Sequence, residues 1–228
     1  MDPLAAEALP GVRFGWPPAF HPLPVGRRGS ADRLLAVLFP AEPEYDEVRA
    51  AAREFWSALA AMQHDNGIFA AGLCNGRLGQ RITGAYVSLS LVPLDYESAE
   101  IAAMGMHEVL AGSTEDADQV GGVLRDGVYV VGVRLPAGPA VVTTELREVG
   151  TELTVPVGLL QVRMPAPGFQ ALLVITLMTP ALEDFTAYCE DGAALAASVR
   201  FLQPGPDPAP DPPTGLLGTA AALSLRGA

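Results

Sequence analysis

The chain has 228 residues, 50% of them hydrophobic and 18% charged, which supplies a core and excludes global disorder. Its formal net charge of −12 comes from 14 basic and 26 acidic residues and repels phosphate backbones, which disfavours nucleic-acid binding and attachment to an anionic membrane. All 14 basic residues are arginine, so phosphate-loop lysines, Schiff bases and Ser–Lys dyads are excluded.

Charge is unevenly placed: residues 1–34 carry four arginines against three acids, and the remainder ten arginines against 23 acids, a balance of −13. The opening MDPLAAEALPGVRFG has no positive region followed by an apolar one and does not read as a signal peptide. The longest apolar runs fall far short of the about 20 residues that cross a bilayer. Cys74 and Cys189 lie far apart in apolar contexts and read as buried free thiols. The expected compartment is the cytoplasm.

Residues 1–43 hold eight of the 21 prolines. Trp16-Pro17-Pro18-Ala19-Phe20-His21-Pro22-Leu23-Pro24 is excluded from helix and central strand, so residues 1–33 are expected to form an extended, proline-rich arm. The spacing then predicts a strand over 34–39 and a helix from Pro43, with Val48, Ala52, Phe55, Leu59 and Met62 on one face, ending at Asp65-Asn66-Gly67. Ile68–Cys74 reads as a strand closed by an Asn75-Gly76 turn. In 82–92, Val87, Leu89 and Leu91 alternate with Tyr86, Ser88 and Ser90, the pattern of a half-buried strand. Residues 97–110 read as a helix with a poor apolar stripe.

Two hairpins follow. The first pairs 128–135 with 140–147 across Pro136-Ala137-Gly138-Pro139; the second pairs 154–164 with 172–179 across Pro165-Ala166-Pro167-Gly168. Thr179-Pro180 looks like an N-cap with proline at the first helical position, opening a last helix through Leu182, Phe185, Cys189 and Ala196 that Asp191-Gly192 divides. Residues 203–213 contain six prolines in eleven positions, so 203–228 are expected to be linker and tail. Residues 34–202 thus form one α+β domain, a largely antiparallel sheet with helices packed on it.

From Leu135-Pro136-Ala137-Gly138-Pro139-Ala140-Val141-Val142, through Leu160-Gln161-Val162-Arg163-Met164-Pro165 and Leu177-Met178-Thr179-Pro180, to Ala197-Ser198-Val199-Arg200-Phe201, the chain resembles small actinobacterial proteins that are themselves similar to the PsbP-like α/β sandwich group, which includes LpqN-type lipoproteins. The resemblance follows residues 35–202 in order of elements and about 40 residues in motif. It implies a non-enzymatic domain that works by contacting other proteins. The lipobox cysteine of LpqN-type members is missing, so membrane anchoring does not carry over, and neither does any functional residue.

Chemistry-bearing residues are sparse. His21, His64 and His107 fall on separate elements without metal-ligand spacing, so no metal and no cofactor is expected. Cys74 and Cys189 sit in strand and helix core patterns rather than beside a histidine. Gly72–Gly79 is glycine-rich but leads into a strand and has no phosphate lysine. The carboxylate pairs Glu115/Asp116 and Glu183/Asp184 read as solvated charge and as helix-dipole complement.

Trp16, Phe20 and His21 between prolines read either as an arm strapped over the domain's own sheet or as a pre-extended ligand for a partner's groove. Glu42, Glu44 and Glu47, with Asp46, form an acidic cluster suited to steering a basic partner. The expected function is a non-catalytic protein-interaction or adaptor module with a protein partner. Two alternatives stand beside it: a structural subunit of a larger assembly that uses arm and tail contacts, and a small hydrolase or isomerase with a shallow cleft; a homo-oligomer is compatible with the sequence.

Overall fold

The structure, a computed structural model, describes residues 11–23, 25, 53, 57, 61–78, 81–112, 122–125, 127–149 and 155–202, without the side chains of 75–78, 81, 82, 125 and 149. The strand expected over 34–39, most of the first helix, and the tail 203–228 lie outside the described residues, as do Glu42, Glu44 and Glu47.

Ten strands are described. In chain order they are β1 (Val12–Arg13), β2 (His21–Leu23), β3 (Ile68–Leu78), β4 (Arg81–Pro93), β5 (Val123–Arg125), β6 (Val128–Leu135), β7 (Gly138–Val149), β8 (Val155–Ala166), β9 (Ala171–Thr179) and β10 (Arg200–Phe201). Helix α1 (Ala99–Ala111) follows β4, and helix α2 (Phe185–Ser198) follows β9 through a 3-10 turn at Leu182–Asp184. Eight strands form one antiparallel sheet in the order β2-β3-β4-β9-β8-β7-β6-β5, and β1 pairs with β10 beside it. The α+β, largely antiparallel architecture agrees with the sequence. Both edges of the large sheet are three-residue strands, and Pro22 stands in one of them. Short edges and an edge proline blunt further strand pairing.

The register sorts side chains onto two faces. On the first, Val87, Leu89, Leu173, Ile175, Leu177, Leu160, Val162, Met164, Ala140 and Val142 form the main core. Helix α2 covers this face at close range. An added Cβ at Gly192 would lie 2.4 Å from Leu160 Cδ2, and one at Gly158 would lie 2.5 Å from the Phe185 ring. Each fully buried aliphatic side chain here contributes about 1.5–3 kcal/mol relative to exposure. Helix α1 packs on the other face over β5 to β8, burying Ala111 with Val130 and Val141. Its N-cap is Ser98, whose Oγ accepts from Ile101 N at 3.2 Å.

Several expectations need correction. Asn75-Gly76 is no turn: β3 runs on to Leu78, pairing Asn75 with Gly84 and Gly76 with Thr83. A local turn signal yielded to a longer ladder. Pro165 is in β8, pairing Leu172, and the turn is 167–170, where Gly168 (φ 79) and Gln170 (φ 46) take left-handed conformations.

Thr179 ends β9 rather than capping a helix that starts at Pro180, and α2 begins at Phe185. Gly192 does not break α2; it lets the helix approach Leu160. The first helix does end at Gly67, whose φ is 71 and whose N–H bonds His64 O at 2.9 Å. Its inward residue near the end is Gln63 at 1% exposure, whereas Met62 is 55% exposed. Ser88, on the polar side of its alternating strand, is buried at 7% exposure.

Candidate functional site

The proline-rich arm lies on its own domain over the described residues. Val12 is fully buried and pairs with Phe201; Leu202 N donates to Gly11 O at 2.7 Å; Gly15 N donates to Ser198 Oγ at 2.9 Å. Trp16 is half-buried, edge-on to Phe14 at 5.2 Å. Phe20 is 4% exposed and lies 6.3 Å from the Tyr188 ring. His21 is exposed on the edge strand, paired with Leu73. Of these three, His21 alone offers an open side chain, while Phe20 serves the core. The other two histidines are apart from it: His64 is exposed at the helix end, and His107 faces Gly132 from α1. Among the described residues no group of three His, Cys, Asp or Glu stands close enough to hold a metal ion.

Both thiols are free and buried. Cys74 lies 3.7 Å from the Tyr188 hydroxyl, which shares a 2.8 Å hydrogen bond with Thr83 Oγ1. Cys189 lines a cavity of about 170 Å³ between α2 and the β6-β7-β8 end of the sheet, walled by Val131, Val142, Leu160 and Val162, with Thr186 and Glu190 from the helix. Burial, helped by Glu190, pushes the Cys189 thiol up to about 12. The thiol is therefore protonated at neutral pH, and a protonated thiol is a poor nucleophile.

Helix α1 offers a different kind of surface. Its inner residues Ala103 and Ala111 are buried, yet Ile101 is 56%, Met104 64% and Val109 79% exposed. At 3.6 residues per turn these three fall within an outward arc of roughly 140°. Gly105 lies on the same arc with open space around it, the exposed Glu108 stands within it and the exposed Glu100 beside it. Arg134 reaches Glu100 at 3.7 Å, with both side chains well exposed. A pair so solvated is worth on the order of 0–1 kcal/mol and leaves the arc acidic.

These residues did not stand out in the sequence. The signal was present as the poor stripe of 97–110: the helix that forms there, AEIAAMGMHEVLA at 99–111, is apolar nearly all round, the pattern of a helix covered on both sides. Comparison of the chain with protein-family models, curated proteins and solved structures finds no match.

Proposed function

We propose that the chain is a non-catalytic protein-interaction module that receives an apolar, arginine- or lysine-bearing segment of another protein on the outward face of α1. The carrying observation is the arc of Ile101, Met104 and Val109, exposed on a helix whose opposite side is already spent on the core. Single exposed apolar residues are ordinary; three on one arc around an open glycine make a surface that gains from being covered.

The occupant follows from charge. Glu108 on the arc with Glu100 beside it, and the −13 balance of residues 35–228, favour a basic partner and repel nucleic acid and anionic bilayers. A second copy would bring the same acids to the contact, which disfavours self-docking here. Steering of this kind raises on-rates at low salt more than it raises affinity. The helices on both faces of one antiparallel sheet support placing the fold with the PsbP-like sandwiches, as the sequence resemblance implies. Two free buried thiols support a cytoplasmic location.

The test is the triple variant Ile101→Ser/Met104→Ser/Val109→Ser. Its stability is expected within about 0.5 kcal/mol of wild type per substitution, while affinity for the basic protein recovered with the native chain falls about tenfold or more. Unchanged affinity at preserved stability would reject the reading.

A further inference from the structure

The face of the sheet under α1 carries a row of polar side chains that the α1 surface does not use. The register sets Ser88 of β4, Thr176 of β9, Gln161 of β8 and Thr143 of β7 side by side across four strands. Arg163, two residues along β8 on the same face, turns back to them. Its Nη1 donates to Thr143 Oγ1 at 3.0 Å and its Nη2 to Gln161 Oε1, while Gln161 Nε2 donates to Thr176 Oγ1 at 3.2 Å. Ser88 and Thr143 are buried; Gln161, Arg163 and Thr176 are half-buried, so part of the row is open.

Two features exceed what the fold requires. The first is Arg163. Its described hydrogen-bond partners are both neutral, although it is a cation whose charge burial disfavours. Glu145, on the same face of β7, favours the Arg163 charge through space without a hydrogen bond to it, and is itself bound by Arg147 at 2.6 Å, whose own charge opposes that of Arg163. A guanidinium carries five N–H donors, more than these two acceptors use. The second is Gln63, at the β4 end of the same face and 1% exposed. Its Nε2 donates to Tyr86 Oη at 2.8 Å, and its Oε1 has no partner among the described residues. Whichever way the amide is turned, one of its polar atoms stays unpaired, a cost of about 1–3 kcal/mol for a buried group.

We propose that this face binds a small organic carboxylate, gripped by the Arg163 guanidinium and oriented by Thr143, Gln161 and Thr176. A carboxylate is planar and matches the guanidinium fork two bonds at a time. One arginine balances one negative charge. A phosphate, at about −1.5 to −2, would leave charge uncompensated in a body whose balance is −13. Val174 and Met178, half-buried on the same face of β9, offer apolar contact to a short aliphatic chain.

The experiment uses the full chain with sodium butyrate, sodium phosphate and sodium chloride at matched ionic strength, read by thermal unfolding and by amide chemical shifts. Butyrate is expected to raise the melting temperature saturably and to shift the amides of β8 and β9, with phosphate no better than chloride. Arg163→Gln is expected to weaken butyrate binding at least tenfold, and Thr176→Val several-fold; Leu146→Ser, exposed on the opposite face of β7, leaves it unchanged. The proposal is overturned if phosphate or chloride acts as well as butyrate, or if Arg163→Gln binds as wild type does. Should Arg163→Gln fail to fold, Thr176→Val decides, and unaltered butyrate affinity there overturns it too.

Discussion

The indole of Trp16 closes over the bare backbone of Gly72, where an added Cβ would meet ring atom Cζ3 at 2.7 Å. Gly72 pairs with Pro22 on one side and Val87 on the other, so this contact fastens the proline-rich arm to the sheet two strands deep. In a strand, alanine is ordinarily better than glycine by about 0.5–1 kcal/mol. Here the ring must be displaced, and overpacking of this kind costs about 1–3 kcal/mol. Gly72→Ala is therefore expected to destabilise the protein in chemical unfolding, with a red-shifted emission that is absent when Trp16→Phe is made alongside. A stabilised Gly72→Ala would detach the arm from the sheet.

Thr179 joins the sheet to α2. It is fully buried, its Oγ1 donating to Gly84 O at 2.6 Å and accepting from Ala181 N at 3.0 Å. Thr179→Val keeps the shape and removes both bonds, leaving a half-buried carbonyl and a half-buried N–H without this partner. The expected loss is about 1–3 kcal/mol, from ~0.5–1.5 per lost hydrogen bond. Thr179→Ser is expected to retain most of the stability.

Alkaline pH should weaken the fold, chiefly through two groups, with burial also raising the Tyr86 and Tyr96 hydroxyls. Burial raises the Cys189 thiol from 9.0 to about 12 and the Tyr188 hydroxyl from 10.0 to about 12. Each folded value exceeds the unfolded one, so the native state holds its proton more tightly. The corresponding stability is complete below pH 9 and is lost as pH rises towards 12. Urea midpoints are expected to be flat across neutral pH and to fall above about pH 9, and Cys189→Ala should flatten part of that fall. In the same window the native thiols should resist iodoacetamide and react once unfolded.

The strands with alternating apolar residues were legible because one face is uniformly aliphatic: Val87, Leu89 and Leu91 in β4 announced themselves, as did both later hairpins. Helix ends with strong signals, such as Asn66-Gly67, were legible too. What failed was local punctuation overruled by pairing. Asn75-Gly76 and Pro165 look like turns in isolation, yet each occupies a ladder position between neighbouring strands. Gly192 looked like a helix breaker, and its purpose appears only with Leu160 beside it.

The polar row was hidden for a related reason. Ser88 sits on the polar side of an alternating strand, and nothing local tells that β9 and β8 continue that side with Thr176 and Gln161. The arc on α1 was hidden in an undifferentiated apolar composition: Ile101 and Ala103 look alike to a periodicity count, and burial separates them.

The proposed docking surface is tested by placing a photo-crosslinking side chain at position 109 in the native cell, with a second probe at Leu182 as an exposed site away from α1. The expected result is one dominant adduct from position 109, joined to a protein segment that carries arginine or lysine among apolar residues. It should be reduced several-fold at unchanged stability by Glu108→Gln, because exposed charges on the rim act chiefly on the encounter rate. An adduct with nucleic acid, an adduct with a second copy of this chain, or equal labelling from positions 109 and 182 would contradict a docking face on α1.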